Sequence, residues 1–316
     1  MKNKIRITKK KAFIIGFVCI ILLLVAGAAV GNYFYNLALN PAVSKDMIFG
    51  EDEETEKQEV NWITEQSGYT DQFITSEDGL KLHAYEITNT KKSDVWVLVV
   101  HGYTGQGSDQ YGYAKGFYDM GYNVLVPDLR GHGLSDGDYI GMGWDDRLDI
   151  MKWTDYIIAK DSEAQIVLHG VSMGGATVMM VAGEQLPSNV KCIIEDSGYT
   201  SVWSEFSYQL DALFNLPAFP VMQLANLATK VRAGYWISDA SAIDQLARAT
   251  RPMLFIHGDN DDFVPFFMLD QVYNAANVEK EKLVIEGAAH AKALETNPEI
   301  YWKTIDRFVT QYVKTP

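Results

Sequence analysis

The most informative short motif in the chain is Gly170-Val171-Ser172-Met173-Gly174, which has the form G-x-S-x-G. A serine in this pattern sits on a tight turn from a strand into a helix, and small residues two positions before and after it prevent clashes. The apolar run at 165–168 reads as that strand, and the apolar run from Met173 to about residue 185 reads as that helix. We therefore predict that Ser172 is a nucleophile, with a plain tight turn as the alternative.

A serine hydroxyl is a weak nucleophile at neutral pH, so it needs a general base and a carboxylate that orients the base. Six histidines are available. His290 follows the predicted strand 283–285 in a loop before the last helix, a position that suits the base. A structural role is expected for the others, which lie in a hairpin, at strand ends beside a glycine, or in the loop 128–135: His83, His101, His169, His257 and His132. A site role for His132 stays open as the alternative.

Composition limits the partners. The chain has 316 residues, 41 acidic and 27 basic side chains, and a net charge of −14. Because six of the basic residues lie within the first eleven positions, the rest of the chain is still more acidic and a poor ligand for nucleic acid. The two cysteines, Cys19 and Cys192, are too far apart in sequence for a metal motif, and Cys19 lies in an apolar run, which argues against an internal disulfide.

The N-terminus has the features of a membrane element. Residues 12–31 contain no charge and as a helix would cover the ~30 Å hydrocarbon core. The basic segment 1–11 precedes them, which predicts a cytoplasmic N-terminus and a body outside the cytoplasm. Tyr33, Phe34 and Tyr35 follow as an interfacial belt would. The alternative is a cleaved signal peptide, because residues 26–28 offer an A-x-A-like site.

The remaining chain divides into a connector and a body. Residues 32–66 read as a juxtamembrane connector with a solvated acidic run at 51–59. From residue 67 to 316, short β-branched runs alternate with longer amphipathic ones, the pattern of a mostly parallel eight-stranded sheet flanked by helices. Residues 199–237 break the alternation and are rich in aromatic residues and leucine. We predict a helical lid there, with additional core-packing helices as the alternative.

These motifs together resemble the α/β-hydrolase superfamily, in which nucleophile, acid and histidine follow in that order. Residues 257–265 resemble the acid loop H-G-x-x-D-x-x-V-P, and this alignment implies Asp261 as the acid, with Asp259 and Asp262 as rivals. His101-Gly102-Tyr103-Thr104-Gly105 resembles the oxyanion loop, which implies the backbone N–H groups of Tyr103 and Met173 as donors. The loop Arg130–Ser135 also recurs in this superfamily. The chain resembles bacterial membrane-anchored esterases, cephalosporin-deacetylase-like enzymes and Bem46-like hydrolases.

The expected activity is therefore hydrolysis of carboxylic esters, or of thioesters, through an acyl-enzyme on Ser172. The lid aromatics favour short-to-medium acyl chains or small lipophilic esters. No motif for a metal or an organic cofactor is present, so none is expected. The alternatives are a ligand-binding or scaffold protein on a hydrolase fold, which needs no complete triad, and a serine peptidase or acyltransferase. The expected location is the cell membrane, or outside the cell if the N-terminus is cleaved.

Overall fold

A twisted sheet organises the body of the protein. The computed structural model describes residues 8–49 and 60–314. In these residues, eight strands lie in the order β1-β2-β4-β3-β5-β6-β7-β8. The first two pair antiparallel, as do β2 and β4, and every later pairing is parallel. The strands are β1 Thr70–Thr75, β2 Lys81–Ile87, β3 Val95–Val100, β4 Asn123–Pro127, β5 Gln165–Val171, β6 Val190–Asp196, β7 Met253–Gly258 and β8 Lys280–Ile285.

Helices cover both faces of the sheet, which explains the continuous apolar runs of its central strands. In β3, Trp96, Leu98 and Val100 face one core, whereas Val95, Val97 and Val99 face the other. The helices are α1 Lys9–Leu39, α2 Asp46–Phe49, α3 Trp62–Glu65, α4 Tyr111–Asp119, α5 Asp146–Lys160, α6 Met173–Val181, α7 Val202–Phe214, α8 Ala218–Ala233, α9 Ala242–Leu246, α10 Phe267–Ala275, α11 Ala293–Thr296 and α12 Pro298–Val309. The α/β architecture predicted from the sequence is confirmed.

Helix α6 ends earlier than predicted. It stops at Val181, whereas the apolar pattern continued to about residue 185. Two residues later, Gly183 lies directly against α9, where a side-chain Cβ would sit 2.8 Å from the Cα of Gln245. The close approach of α9 therefore coincides with the end of the helix.

Helix α1 extends beyond the predicted span of 12–31 and includes residues that were expected in the connector. Its last two turns pack on the body, and Tyr35 and Leu39, one turn apart, are buried. The expectation of an interfacial aromatic belt is wrong for Phe34 and Tyr35. The ring of Phe34 packs edge-on against that of Phe214, with the ring centres 5.7 Å apart, and Tyr35 is buried. Of the three aromatic residues, Tyr33 is the exposed one. Apolar residues continue at helical spacing past residue 31, and the body covers them. The acidic run 51–59 and residues 1–7 lie outside the described residues.

The end of α1 is capped by a lysine from the segment that follows it. Lys45 Nζ donates to the carbonyl oxygens of Leu37 at 2.7 Å and Asn40 at 2.9 Å. Carbonyl groups in the last turn of a helix have no partner within the helix, and a cation there is favoured by the helix dipole. This cap fixes the point at which the chain leaves α1.

The segment 199–237 is helical, as predicted, and consists mainly of α7 and α8. Helix α8 runs alongside α1 in the same direction: Leu224 contacts Gly31 of α1, and further along Arg232 donates to Asn32 at 2.8 Å and Asn36 at 2.6 Å. The guanidinium group of Arg232 also lies 4.0 Å from the ring centre of Tyr35. This segment, which is called the lid below after its predicted role, and the N-terminal helix therefore form one packed unit.

Candidate active site

Ser172 occupies the sharp turn between β5 and α6. Its backbone has φ 57° and ψ −117°, a conformation that costs energy for a residue with a side chain. Glycines on both sides permit the turn, since a Cβ on Gly170 would lie 2.9 Å from the Gly175 nitrogen and one on Gly174 would lie 2.7 Å from the Val100 carbonyl carbon. The local sequence therefore dictates this turn, which presents the serine hydroxyl at the carboxyl edge of the sheet.

Three side chains from distant parts of the chain meet at this edge. The Oγ of Ser172 lies 2.8 Å from Nε2 of His290, and Nδ1 of His290 lies 2.8 Å from Oδ2 of Asp261. The residues follow β5, β8 and β7, whose carboxyl ends lie side by side because these strands run parallel. A hydroxyl, an imidazole and a carboxylate are thus within direct hydrogen-bonding distance, the arrangement that nucleophilic catalysis by a serine requires.

The carboxylate of Asp261 is buried and fully engaged. Its Oδ1 accepts from the backbone N–H groups of Phe263 at 3.0 Å and Val264 at 2.9 Å, and its Oδ2 also lies 3.2 Å from Nε2 of His257. Burial alone would raise the pKa of Asp261, but the hydrogen bonds and charges of His257 and His290 outweigh it and hold the pKa below its usual value. The carboxylate therefore stays ionised at neutral pH.

The two rival acids have other positions. Asp259 accepts from the backbone N–H of Gly287 at 2.6 Å and so holds the loop that carries His290. Asp262 is exposed to solvent. Of the three aspartates in this loop, Asp261 is the one whose carboxylate contacts the imidazole.

The loop after β3 lies beside the serine. The position that a Cβ on Gly102 would take is 3.4 Å from the Cβ of Ser172, so the main chain of this loop reaches the nucleophile. Tyr103 follows in this loop, and Met173 is the first residue of α6, where N–H groups have no partner within the helix. The side chain of Tyr103 is held in place because its hydroxyl donates to the Ala38 carbonyl oxygen of α1 at 2.6 Å.

A narrow apolar cavity of about 90 Å³ adjoins the serine. Its wall comes from the last turns of α1, from the lid helices and from the loops around Ser172. The lining residues are Phe34, Tyr35, Leu37, Ala38, Leu39, Ile48, Tyr103, Met142, Ser172, Met173, Tyr199, Glu205, Phe206, Gln209, Leu210, Leu213, Phe214, Val221, Met222, Ala225, Thr229, Ile237, Phe263 and Val264. Most of these side chains are aliphatic or aromatic, and the polar ones, such as Glu205, Gln209, Thr229 and Ser172, are few. The cavity therefore suits an apolar group bound next to the Ser172 hydroxyl.

Four of the remaining histidines serve the fold. They bond to residues that hold neighbouring strands and loops: His83 to Asp71 and Asp128, His101 to the Leu129 N–H, His132 to the Arg130 carbonyl oxygen and His169 to the Tyr301 hydroxyl. Burial lowers the pKa of His101 and of His169 to about 3, so both imidazoles are neutral at neutral pH. This agrees with the structural roles that the sequence predicted for them.

Comparisons with known proteins identify the fold. A family model described as alpha/beta hydrolase fold matches residues 95–220. The chain is 28% identical over 214 residues to the uncharacterized protein YqkD of Bacillus subtilis (strain 168), which covers 67% of this chain and 70% of YqkD. It is 25% identical over 251 residues to the alpha/beta hydrolase domain-containing protein WAV2 of Arabidopsis thaliana, which covers 77% of this chain and 79% of WAV2.

Among solved structures, the esterase Pf2001 of Pyrococcus furiosus superposes with a TM-score of 0.63 at 23% sequence identity. The match covers 78% of this chain and 93% of that structure, which shows a shared fold. The chain is an α/β-hydrolase-fold protein. The resemblance inferred from its sequence motifs is thereby confirmed.

This α/β-hydrolase-fold protein also has buried acids that its sequence motifs did not predict. Glu195 and Asp196 end β6 beside the serine, and the backbone oxygen of Asp196 accepts from the Ser172 N–H at 2.8 Å. Burial raises the pKa of Glu195 to about 8 and that of Asp196 to about 6. Two adjacent acids at the end of an apolar strand are the sequence signal that would have identified them. The Asp196 carboxylate accepts from the Tyr301 hydroxyl at 2.9 Å and so ties α12 to the site.

A third buried acid of this α/β-hydrolase-fold protein lies in the cavity wall. Glu205 of α7 is 3% exposed; its Oε1 accepts from Gln209 at 3.0 Å, and its Oε2 has no hydrogen-bond partner among the described residues. Burial raises its pKa to about 8. The part of the chain that the structure describes contains no cluster of three or more side chains that could ligate a metal.

The contact between α1 and the lid was not predicted from the sequence either. Gly27 and Gly31 lie four residues apart in the apolar helix, and both contact Leu224 of α8. Small residues at this spacing let two helices approach closely in an apolar environment. The G-x-x-x-G spacing is therefore a sequence signal for this helix pair.

Proposed function

We propose that the protein is a serine hydrolase that cleaves carboxylic esters through an acyl-enzyme on Ser172. The observation that carries this proposal is the unbroken chain of 2.8 Å contacts from Ser172 to His290 to Asp261. The esterase neighbour in structure supports the same class of reaction.

In the proposed reaction, the Ser172 oxygen attacks the ester carbonyl carbon while Nε2 of His290 takes its proton. Asp261 holds the imidazole in the tautomer that accepts at Nε2 and stabilises the imidazolium that forms. The bond to the leaving alcohol then breaks, and His290 returns the proton to that alcohol. Water, deprotonated by His290, then attacks the carbonyl carbon of the acyl-enzyme. The bond to the Ser172 oxygen breaks, His290 returns the proton to that oxygen, and the acid is released.

Two backbone N–H groups are assigned to the oxyanion that forms in each step. Met173 supplies one from the start of α6, and Tyr103 supplies the other from the loop beside the serine. Loss of one such donor typically costs about 10²–10³-fold in rate. The bond from Tyr103 to Ala38 supports this assignment, because it restrains the loop that positions the donor.

The test uses the full chain in detergent micelles, 4-nitrophenyl butyrate and a fluorophosphonate probe. Ser172→Ala should abolish labelling and lower kcat by roughly 10⁶-fold, the scale of loss seen when a triad serine is removed. Ser162→Ala, at an exposed serine, is the matched control and should behave like the unaltered protein. Full activity of Ser172→Ala would refute the site, and an inert Ser172 in the unaltered protein would favour the ligand-binding alternative.

We further propose that α1 is an uncleaved membrane anchor with the body outside the cytoplasm. Helix α1 is long and apolar enough to span a membrane, and its most apolar part is exposed in the protein. The A-x-A-like site at 26–28 lies inside this continuous helix, where Gly27 packs against Leu224. N-terminal sequencing of the mature protein should show residues before 26, whereas a start near Ala29 would show that the helix had been cleaved.

A further inference from the structure

The N-terminal helix forms part of the cavity wall as well as a membrane span. Its last two turns line the cavity beside Ser172 with five residues: Phe34, Tyr35, Leu37, Ala38 and Leu39. Leu37 is 8% exposed and Leu39 is fully buried. The same turns also bind the proposed oxyanion loop, because Ala38 accepts the Tyr103 hydroxyl. A fragment that began after α1 would therefore lack one side of the cavity.

The opposite wall belongs to the lid, and the lid continues alongside the apolar part of α1. Val221, Met222 and Ala225 of α8 line the cavity, and Leu224 between them contacts Gly27 and Gly31. These glycines lie within the uncharged stretch 12–31 that is long enough to cross the hydrocarbon core. The seam between the two helices therefore leads from the cavity towards the membrane.

Because α8 and α1 run in the same direction, the start of α8 lies towards the N-terminal end of α1. The main chain at Phe219 is not helical, so the regular part of α8 begins after this residue. The exposed side of α8 carries large apolar residues, since Phe219 is 73% exposed, Leu227 53% and Val231 77%, and the polar residues Gln223 and Lys230 are exposed between them. At the other end, Arg232 bonds Asn32 and Asn36, as a cation does at the polar boundary of a membrane.

We propose that the lid lies in the membrane leaflet beside α1 and that the cavity binds the acyl chain of an ester held in that leaflet. Exposed Phe219 and Leu227 lie on either side of Leu224 in the sequence of α8, and Leu224 contacts the exposed apolar part of α1, so the same lipid phase covers these side chains and α1. The acyl chain enters along the seam between α1 and α8, its carbonyl reaches Ser172, and the alcohol leaves from the other side of the carbonyl. This inference rests on the proposed ester hydrolysis and names its substrate class as a membrane-resident acyl ester.

The first test compares two esters with the same leaving group on the full chain in phosphatidylcholine vesicles. 4-Nitrophenyl laurate partitions into the bilayer, and 4-nitrophenyl acetate is the short-chain reference. Leu37→Trp fills the cavity from the α1 side and should lower the ratio of the two kcat/KM values, laurate over acetate, at least tenfold. Val30→Trp lies about two turns earlier on the same helix, outside the cavity lining, and should leave the ratio within twofold.

Each outcome separates the two proposals. If the unaltered protein hydrolyses neither ester, ester hydrolysis fails and this inference fails with it. If both esters are hydrolysed and Leu37→Trp leaves the ratio unchanged, or changes it no more than Val30→Trp does, only the acyl-site inference is overturned. Leu37→Ala widens the same wall and should also shift the ratio, by about threefold or more, so the test stands if the tryptophan variant does not fold.

A second test measures the depth of the lid and does not depend on activity. A nitroxide is attached at Phe219→Cys or at Ile300→Cys, in both cases with Cys19→Ser. Ile300 is an exposed control on α12, whose buried side chains belong to the opposite core from that of the lid. In vesicles, the label at 219 should collide more with oxygen, which concentrates in lipid, than with a water-soluble nickel complex, and the label at 300 should show the reverse. If the label at 219 collided more with the nickel complex than with oxygen, the placement of the lid in the leaflet would be overturned.

Discussion

The crossing of α1 and α8 at Gly31 gives a sharp test of the structure. A Cβ added at Gly31 would lie 2.9 Å from the carbonyl carbon of Leu224, and the carbonyl oxygen is closer still. By contrast, a Cβ added at Gly16 of the same helix would meet nothing within 4 Å. Gly31→Ala and Gly16→Ala are therefore the same chemical change on one helix, with and without a neighbouring helix.

The size of the effect follows from these distances. Carbon atoms in contact prefer about 3.5–4.0 Å, so α1 must move away from α8 by roughly 0.6–1 Å in Gly31→Ala. Extra atoms in a well-packed contact cost typically 1–3 kcal/mol. Gly→Ala in a helix gains about 1 kcal/mol, but this gain is the same with the lid open or closed and therefore cancels from the free energy of opening. We therefore expect the free energy of opening the lid to be about 1–3 kcal/mol lower in Gly31→Ala than in the unaltered protein.

Hydrogen–deuterium exchange of the full chain in phosphatidylcholine nanodiscs measures this opening directly. A loss of 1–3 kcal/mol corresponds to roughly five- to 150-fold faster exchange of the amides in α8. The amides of β5 and β6, in the central sheet, provide an internal reference that should not change. Gly16→Ala should leave the exchange of α8 as it is in the unaltered protein.

Equal exchange of α8 in Gly31→Ala and Gly16→Ala would refute the reasoning. It would mean that α1 does not pack on the lid at Gly31 in the membrane. The acyl cavity would then lack its α1 wall, because the residues that form this wall follow Gly31 by one to two turns. Faster exchange throughout β5 and β6 would instead indicate general unfolding, which the packing at this crossing does not predict.

Two further predictions concern buried charges. The pKa of Glu205 rises from 4.5 to about 8 in the fold, so the folded protein holds one more proton and its stability falls as pH rises from about 4.5 to 8. Glu205→Gln removes this loss of stability. In denaturant unfolding, the free energy of unfolding of Glu205→Gln relative to that of the unaltered protein should rise by on the order of a few kcal/mol from pH 5 to pH 8. The same difference between the two proteins at both pH values would contradict the assignment. Arg130 binds both carboxylate oxygens of buried Asp149, at 2.8 and 2.9 Å. Arg130→Met should cost about 3–5 kcal/mol of unfolding free energy, and adding Asp149→Leu should recover much of it; an unchanged stability of the single variant would contradict this.

The association of the helix with the lid changes how a soluble form of the protein should be interpreted. A fragment without α1 retains Ser172, His290 and Asp261, since all three lie in the body. It loses the turns that line the cavity and bind Tyr103. Low activity of such a fragment on long-chain esters is therefore the expected result and would not count against the triad.

Some features followed from short stretches of sequence. Ser172 was predicted because the geometry of its turn depends on Gly170 and Gly174, which are close neighbours in the chain. The parallel sheet was predicted because strands covered on both faces must be apolar at consecutive positions. His290 was predicted from its loop, since residues that follow parallel strands collect at one edge of the sheet.

The choice among Asp259, Asp261 and Asp262 was different, because residue type does not distinguish them. The resemblance to known hydrolases favoured Asp261, and the contact of its carboxylate with His290 agrees with that choice. The second histidine on this carboxylate, His257, was expected to be purely structural. Its approach to 3.2 Å depends on how the loop after β7 folds back on the strand, which no spacing in the sequence reveals.

By itself, the sequence determined that an apolar helix precedes an α/β body with a serine on a tight turn. Only the tertiary structure decided that this helix continues to Leu39, packs on the lid and closes a cavity beside Ser172. The physical reason is that a hydrophobic pattern shows which side of a helix must be covered but does not show what covers it. Residues 34–39 and 221–229 are nearly two hundred positions apart, and only the folded chain brings them together.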